Sequence, residues 1–501
     1  MDVYFELRRT VKQTVVYALG NMAPKLAGLI LVPLYTKHLE VSEYGVLGLL
    51  DLILQITIFL VGLGLATSLI RWHSLAQSEV EKKRTLFTTT IATAGFGAMC
   101  FLLLLFTSDQ LTQIIFGRNS SNQPAQLFSY YLQLVFLTAI FDRLLIIPLS
   151  LFRIQERPLR YSTVSILRFT LLVILNLVFV GIYHLGIEGV LLGILLSTAL
   201  SFGLTLPYLL KNIQLGFLRD QLKEMLRYGV PVMGASLAMI LLNLGDRYLL
   251  RLLSSLHSVG LYTLGYQIAG LINLLFISSF ALGFYPAIFK FTTEEDRKAF
   301  LSKTFTYFTL VVFWTILVLS LFAPEILRLI VPNPLYWEAE KVVFLLSFGF
   351  GFYGMFYVLS MGFYLEKRTG YISALVSATV LLNIGLNLLL IPRWDIIGAG
   401  LATALSYGLM VPVTTFFVGK IYPVKYRWDR ALTAVVLTAV FYGLSLLWRG
   451  TSVWTNVALD LIVIVAFPFV LYLLKFFDTE DLRRARGWIR RVFSPSTQEM
   501  R

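Results

Sequence analysis

Residues 369–392, TGYISALVSATVLLNIGLNLLLIP, and residues 396–419, IIGAGLATALSYGLMVPVTTFFVG, carry no charged side chain, and only Arg393, Trp394 and Asp395 part them. A helix needs roughly 20 apolar residues to cross a bilayer core of about 30 Å. Both runs meet that length. Trp394 between them suits a span end, because an amphipathic ring prefers the headgroup level. The same charge-free pattern returns at 52–70, 85–108, 189–210, 258–289, 304–324 and 342–365. Eight such runs in one soluble chain would leave it almost no surface to show to water. Composition agrees: 14% of the 501 residues are charged and 57% are hydrophobic, whereas soluble domains carry about 25% charged residues.

The chain therefore reads as an all-α integral membrane protein of about 14 transmembrane helices. The spans fall near 14–36, 45–70, 85–106, 126–151, 161–183, 188–210, 228–247, 259–286, 304–323, 342–365, 371–392, 397–419, 431–448 and 453–474. The N-terminal segment holds Asn21, Pro24 and Lys25 in its apolar stretch, so it reads as a retained first span rather than a cleavable leader.

Lysine and arginine test this map. With the N-terminus in the cytoplasm, thirty-one of the 42 basic residues fall in inner loops and the tail, eight in outer loops, and three inside spans. The bias of basic residues toward the cytoplasmic side sets orientation. An extra or missing span would scramble the alternation downstream of it. The reading is a multi-pass protein of the cell inner membrane with both termini cytoplasmic. The net charge of +14 is then a topology signal and a contact with anionic membrane lipids, and no nucleic-acid partner is expected. Residues 477–501 place Leu482, Ala485, Trp488, Ile489 and Val492 among five arginines, the pattern of a basic amphipathic helix on the inner membrane surface.

Two segments repeat. IEGVLLGILLS at 187–197 matches IIGAGLATALS at 396–406 at five positions, and Glu43-Tyr44-Gly45-Val46-Leu47 aligns with Ser258-Val259-Gly260-Leu261-Tyr262. A Glu-Lys/Arg pair followed by Tyr161 or Tyr371 precedes each copy of the first. These matches predict an N-terminal six-helix lobe (1–212), a C-terminal six-helix lobe (213–420) and a pair of added helices, 13 and 14 (421–476). An even number of helices per repeat gives both lobes the same orientation. Transporters built this way place their site between the halves.

Ionisable groups within the hydrocarbon region are costly, which makes each a functional candidate. Lys25 lies in span 1 with Asn21 one turn earlier, and Asp51 lies in span 2 with Gln55 one turn later. The neighbouring amides favour a water-filled cavity for these two. Asp142 and Arg143 lie in span 4 and Arg168 in span 5. An internal Asp142–Arg168 pair that locks helices and a cavity-facing arrangement are both open for them. Asp51 and Asp142 are the candidates for binding a coupling ion. Asn243 and Gln267 are the polar candidates in the second half, while Asp246 and Arg247 fall at the outer end of span 7 and Asp460 stands alone in span 14. A cationic cavity suits an anionic substrate such as a pyrophosphate. No Walker A segment and no large extracytoplasmic loop occur, and the single Cys100 excludes a cysteine metal site. No resident metal or cofactor is expected. An enzyme, including a membrane glycosyltransferase, is disfavoured.

The stretch GNMAPKLAGLILVPLYTKHLEVSEYGVLGLLDLI at 20–53, VGLGLATSLIRW at 61–72, PLSLFRIQERPLRYS at 148–162 and GDRYLLRLLSSLHSVGLYTLGYQIAGL at 245–271 resemble the polysaccharide-repeat flippases. These are the Wzx-type members of the polysaccharide transporter family, in the multidrug/oligosaccharidyl-lipid/polysaccharide exporter superfamily. The resemblance implies a bilobed fold around a central cavity and alternating access. The cargo it implies is an undecaprenyl-diphosphate-linked oligosaccharide, the repeat unit of an O-antigen, capsule or exopolysaccharide. It places the family's basic cavity residue on Lys25, with Arg143 and Arg168 as weaker transfers. It also implies a proton or sodium gradient as the drive and a polysaccharide polymerase and export machinery as partners. The alternatives are a drug/cation antiporter or a peptidoglycan-precursor flippase of the same superfamily. Spans 2 and 8 lack the basic residues that the latter carry.

Overall fold

A computed structural model describes residues 28–117, 125–449 and 453–477. All the regular structure among these residues is helical. The described part of span 1 ends in the helix Val32–His38, and every later span has its helix. Lys25, Asn21 and the basic tail lie outside the described residues. Spans 11 and 12 are two helices within Gly370–Ile421, which meet in a kink at Asp395, a non-glycine residue at φ 48°. That geometry costs of order 1–3 kcal/mol. The Asp395 carboxylate accepts hydrogen bonds from Ser254 (2.6 Å) and Ser258 (2.8 Å), fixing the turn to the start of span 8.

Sequence patterning explains where the helices start and break. Glu40 and Glu43 form a capping box that opens span 2 at Val41, satisfying backbone N–H groups that a helix start leaves free. Span 2 runs to Gly62 and resumes at Leu65. Between these helices Leu63 and Gly64 are left-handed, at φ 43° and 70°. A Cβ on Gly64 would stand 2.3 Å from the Gly229 carbonyl oxygen, so the break lies directly on span 7. Spans 5 and 8 carry π-helical turns at Leu177–Ile182 and Ile272–Ile277.

Span 7 is longer than its sequence window. The helix runs Arg219–Leu253 and carries Asp246 and Arg247 inside the fold, 0% and 5% exposed. This corrects the placement of Arg247 among outer-loop residues. The window of 228–247 took in both charges but ended at Arg247, as if that residue met the outer surface, while the helix continues to Leu253.

The outward-facing side chains are apolar: Phe106 is 84% exposed, Trp454 84% and Phe469 60%. Such a surface is at home in lipid and a liability in water. Span 13 packs on spans 9 and 10, where Tyr442 stacks on Phe344 at 3.7 Å and Thr438 donates to the Phe313 carbonyl. Span 14 follows it, with the Ile464 carbonyl accepting from the Trp314 indole. Asp460 accepts from Trp448 at 3.2 Å.

Candidate substrate cavity

Spans 1, 2, 4, 5, 6, 7 and 8, with Phe350 of span 10, surround a cavity of about 930 Å³. Its wall includes five charged side chains, Asp51, Asp142, Arg143, Arg168 and Arg247. Leu47, Asp51, Leu54, Gln55 and Ile58 of span 2 all line it, as residues three and four apart on one helix face must.

The charges form two groups. Asp142 is shared: Arg143 donates to one carboxylate oxygen at 2.5 and 3.1 Å, and Arg168 reaches the other at 2.9 Å. The sequence offered pairing and cavity exposure as alternatives, and this geometry combines them. Arg143 also rests on Gly62, where a Cβ would stand 2.8 Å from its Cδ. In the second group Arg247 donates to Asp51 at 3.1 Å and to the Gly48 carbonyl at 3.4 Å. Its guanidinium lies 5.3 Å from the centre of the Tyr266 ring. Gln55 donates to the other Asp51 oxygen at 3.4 Å. Three guanidinium groups thus face two carboxylates. An isolated charge at mid-bilayer costs about 3 kcal/mol even on lenient scales, and pairing offsets part of that cost for each group.

Gln267 lines the cavity and accepts from Tyr44 at 2.6 Å. Asn243 takes another position. It stands behind the wall, accepting from Tyr266 at 3.3 Å and Tyr407 at 3.0 Å, so it positions Tyr266 rather than lining the cavity. Sequence reasoning missed Arg247, Tyr35, Tyr44 and Tyr266 on the cavity wall. The signal for Arg247 was present: a charge beside Asp246 in an otherwise apolar run.

A second polar centre lies in the other half. Asp246 accepts from Tyr262 and Thr403, both at 2.6 Å, and from Asn387 at 2.8 Å. Asn387 also donates to the Asn383 side chain at 3.0 Å. Among the described residues no basic side chain pairs with Asp246. The Asn387 side-chain oxygen is buried without a partner. A carboxylate, two hydroxyls and two amides are the oxygen-rich set that a hard cation accepts. No group of three or more His, Cys, Asp or Glu occurs among the described residues, so any cation here would rely on neutral oxygens beside one carboxylate.

The model of a family described as polysaccharide biosynthesis protein matches residues 10–292. An uncharacterized membrane protein of Methanocaldococcus jannaschii is 25% identical over 274 residues. That stretch is 52% of each protein, so the chain spans about half the length of this curated relative. Among solved structures, the lipid II flippase MurJ in an inward closed conformation aligns with TM-score 0.73 at 17% identity, over 92% of this chain and 100% of its own. An inward-facing multidrug resistance MATE family transporter of the MOP superfamily aligns with TM-score 0.62 at 15% identity, over 81% and 95%. At these identities the likeness is one of fold: an all-α, multi-pass MOP-type architecture.

Proposed function

This chain belongs to the polysaccharide biosynthesis protein family, and we propose that it is a flippase rather than an enzyme. Its cargo is an undecaprenyl-diphosphate-linked oligosaccharide repeat unit, moved across the cell inner membrane by alternating access. The observation that carries this reading is the cavity whose wall, among the described residues, holds Arg143, Arg168 and Arg247 against Asp51 and Asp142. Each guanidinium presents several donors in a fixed fork suited to phosphate oxygens. A diphosphate entering there meets donors already paid for in desolvation, and it competes with the two carboxylates for them. The sugars meet Tyr35, Tyr44, Tyr266 and Gln267, whose hydroxyls and amide suit a polyhydroxylated partner.

In this reading residues 1–212 and 213–420 move against each other, with helices 13 and 14 (421–476) riding on the second lobe. The cytoplasm faces the loops rich in Lys and Arg. The driving ion sits at Asp246 rather than at Asp51 or Asp142. Both of those carboxylates are already paired with arginine, whereas among the described residues Asp246 is held by neutral donors. A proton or a sodium ion suits it. Polymerase and export proteins would take the repeat unit from the outer leaflet.

The test is cellular. Cells without the protein should lose surface glycan and accumulate the lipid-linked repeat unit on the cytoplasmic leaflet. Undiminished surface glycan in those cells would refute the reading.

A further inference from the structure

Span 2 has a second face. Leu49, Ile53, Ile56 and Leu60 stand opposite Asp51 and Gln55, and they border another cleft, of about 500 Å³. One wall comes from spans 2, 3 and 4, with Leu111, Ile114 and Phe136; the other comes from spans 7 and 11, with Leu241, Tyr248 and Ile384. Among the described residues no charged side chain lines it, and Thr57 and Asn383 are its only polar side chains apart from the Tyr248 hydroxyl. That hydroxyl donates to the Ile114 carbonyl, and the Asn383 side chain accepts from Asn387. The Asn383 amide nitrogen is buried without a partner, one polar spot in a wall that is otherwise mostly hydrocarbon.

The rim opens to the bilayer. Leu60 is 43% exposed, Ile114 60%, Leu241 38% and Ile384 38%. All four are apolar and lie on membrane-spanning helices. At the back of the cleft is Gly245, where a Cβ would meet nothing within 4 Å. A Cβ at 245 therefore enters open space, and a large side chain there would extend into the cleft that Gly245 lines.

We propose that this cleft holds an acyl chain of a bilayer phospholipid. Its largely apolar wall accepts hydrocarbon and, among the described residues, offers no charged partner to a headgroup, so the lipid enters tail first from the membrane with its head remaining at the interface. Lipid at the rim is the abundant source. Span 2 stands between the cleft and the charged cavity, so the site is separate from the one proposed for the cargo. Its walls belong to different parts of the chain, and a seated acyl chain would brace them in the present arrangement.

The full chain, reconstituted in vesicles of phosphatidylethanolamine and phosphatidylglycerol, tests this with a phospholipid whose acyl chain carries a photoreactive diazirine. Crosslinks mapped by mass spectrometry should fall on the segments around Leu111, Ile114, Phe136 and Tyr248. Gly245→Phe should reduce them at least fivefold and leave crosslinks near Phe469, on the outer face of span 14, unchanged. Phe136→Trp, which fills the cleft from the opposite wall, should give the same pattern if Gly245→Phe fails to fold. Labelling of the cleft that is unaffected by both substitutions overturns the proposal. So does loss of cleft labelling on adding undecaprenyl phosphate at a ratio that leaves Phe469 labelling intact, because the occupant would then be an isoprenoid chain.

Discussion

Gly45 and Gly260 seat their helices on each other backbone to backbone. A Cβ on Gly45 would stand 2.0 Å from the carbonyl oxygen of Leu256, and a Cβ on Gly260 would stand 2.0 Å from that of Val41. Each of those carbonyls lies four residues before the partner glycine, so the contact is reciprocal. The two glycines are also the aligned positions of the repeat in spans 2 and 8. Gly48 continues the crossing, with a Cβ 2.3 Å from the Thr263 hydroxyl oxygen. Gly48 and Thr263 line the charged cavity, so the crossing closes one end of it.

Any side chain at that crossing must push the helices apart. Overpacking a well-packed site costs typically about 1–3 kcal/mol. Gly45→Ala and Gly260→Ala should each lower the thermal transition of the detergent-purified protein. Gly95, where a Cβ meets nothing within 4 Å, is the control: Gly95→Ala should leave it unchanged or raise it, since alanine favours a helix over glycine by about 1 kcal/mol. Equal melting of all three variants would mean that the crossing is not tightly seated.

Asp142 pairs with two arginines at once. Asp142→Ala strands both, and breaking a buried pair from one side costs about 3–5 kcal/mol, so poor folding and low membrane abundance are expected. Arg168→Gln keeps the Asp142–Arg143 pair and should preserve abundance while lowering glycan export. Immunoblots of membranes beside surface-glycan stains read the two effects separately. Normal abundance of the Asp142→Ala protein would show that the pair is not a structural requirement.

Asp246→Asn keeps the size of the side chain and removes its charge. Transport driven by an imposed sodium or proton gradient in vesicles should fall to the rate without a gradient. Cargo binding should persist, because the three cavity arginines pair with Asp51 and Asp142 rather than with Asp246. Gradient-driven transport that survives the substitution moves the coupling site away from Asp246.

Lys25 is a prediction from sequence. Lys25→Ala should abolish surface glycan at unchanged protein level, since a basic group retained within a span is expected to act on the cargo. Normal glycan display would remove Lys25 from the mechanism.

Charge inside an apolar run is easy to see in a sequence, which is why Asp51, Asp142, Arg143 and Arg168 stood out before any fold was in hand. Partnership is not. The Asp246 cluster joins residues 141 and 157 positions apart, and nothing local in Asn387 or Thr403 marks them as its partners. Arg247 was visible but misplaced, since a charged pair reads as the end of a span, while the Arg219–Leu253 helix continues past it. Periodicity gave the spans, and the apolar face of span 2 needed its neighbours before it became a cleft. The repeat was legible as a motif, and its meaning came from the Gly45–Gly260 contact.

The central claim is that the arginine cavity handles a lipid-linked diphosphate. Vesicles containing the purified protein, loaded with a fluorescent undecaprenyl-diphosphate oligosaccharide, test it by membrane-impermeant quenching of the label. Probe reaching the quenched leaflet should rise above that of protein-free vesicles, and Arg247→Gln with Arg168→Gln should lower the rate at least tenfold. A rate equal to that of protein-free vesicles, or one indifferent to both arginines, would contradict the account.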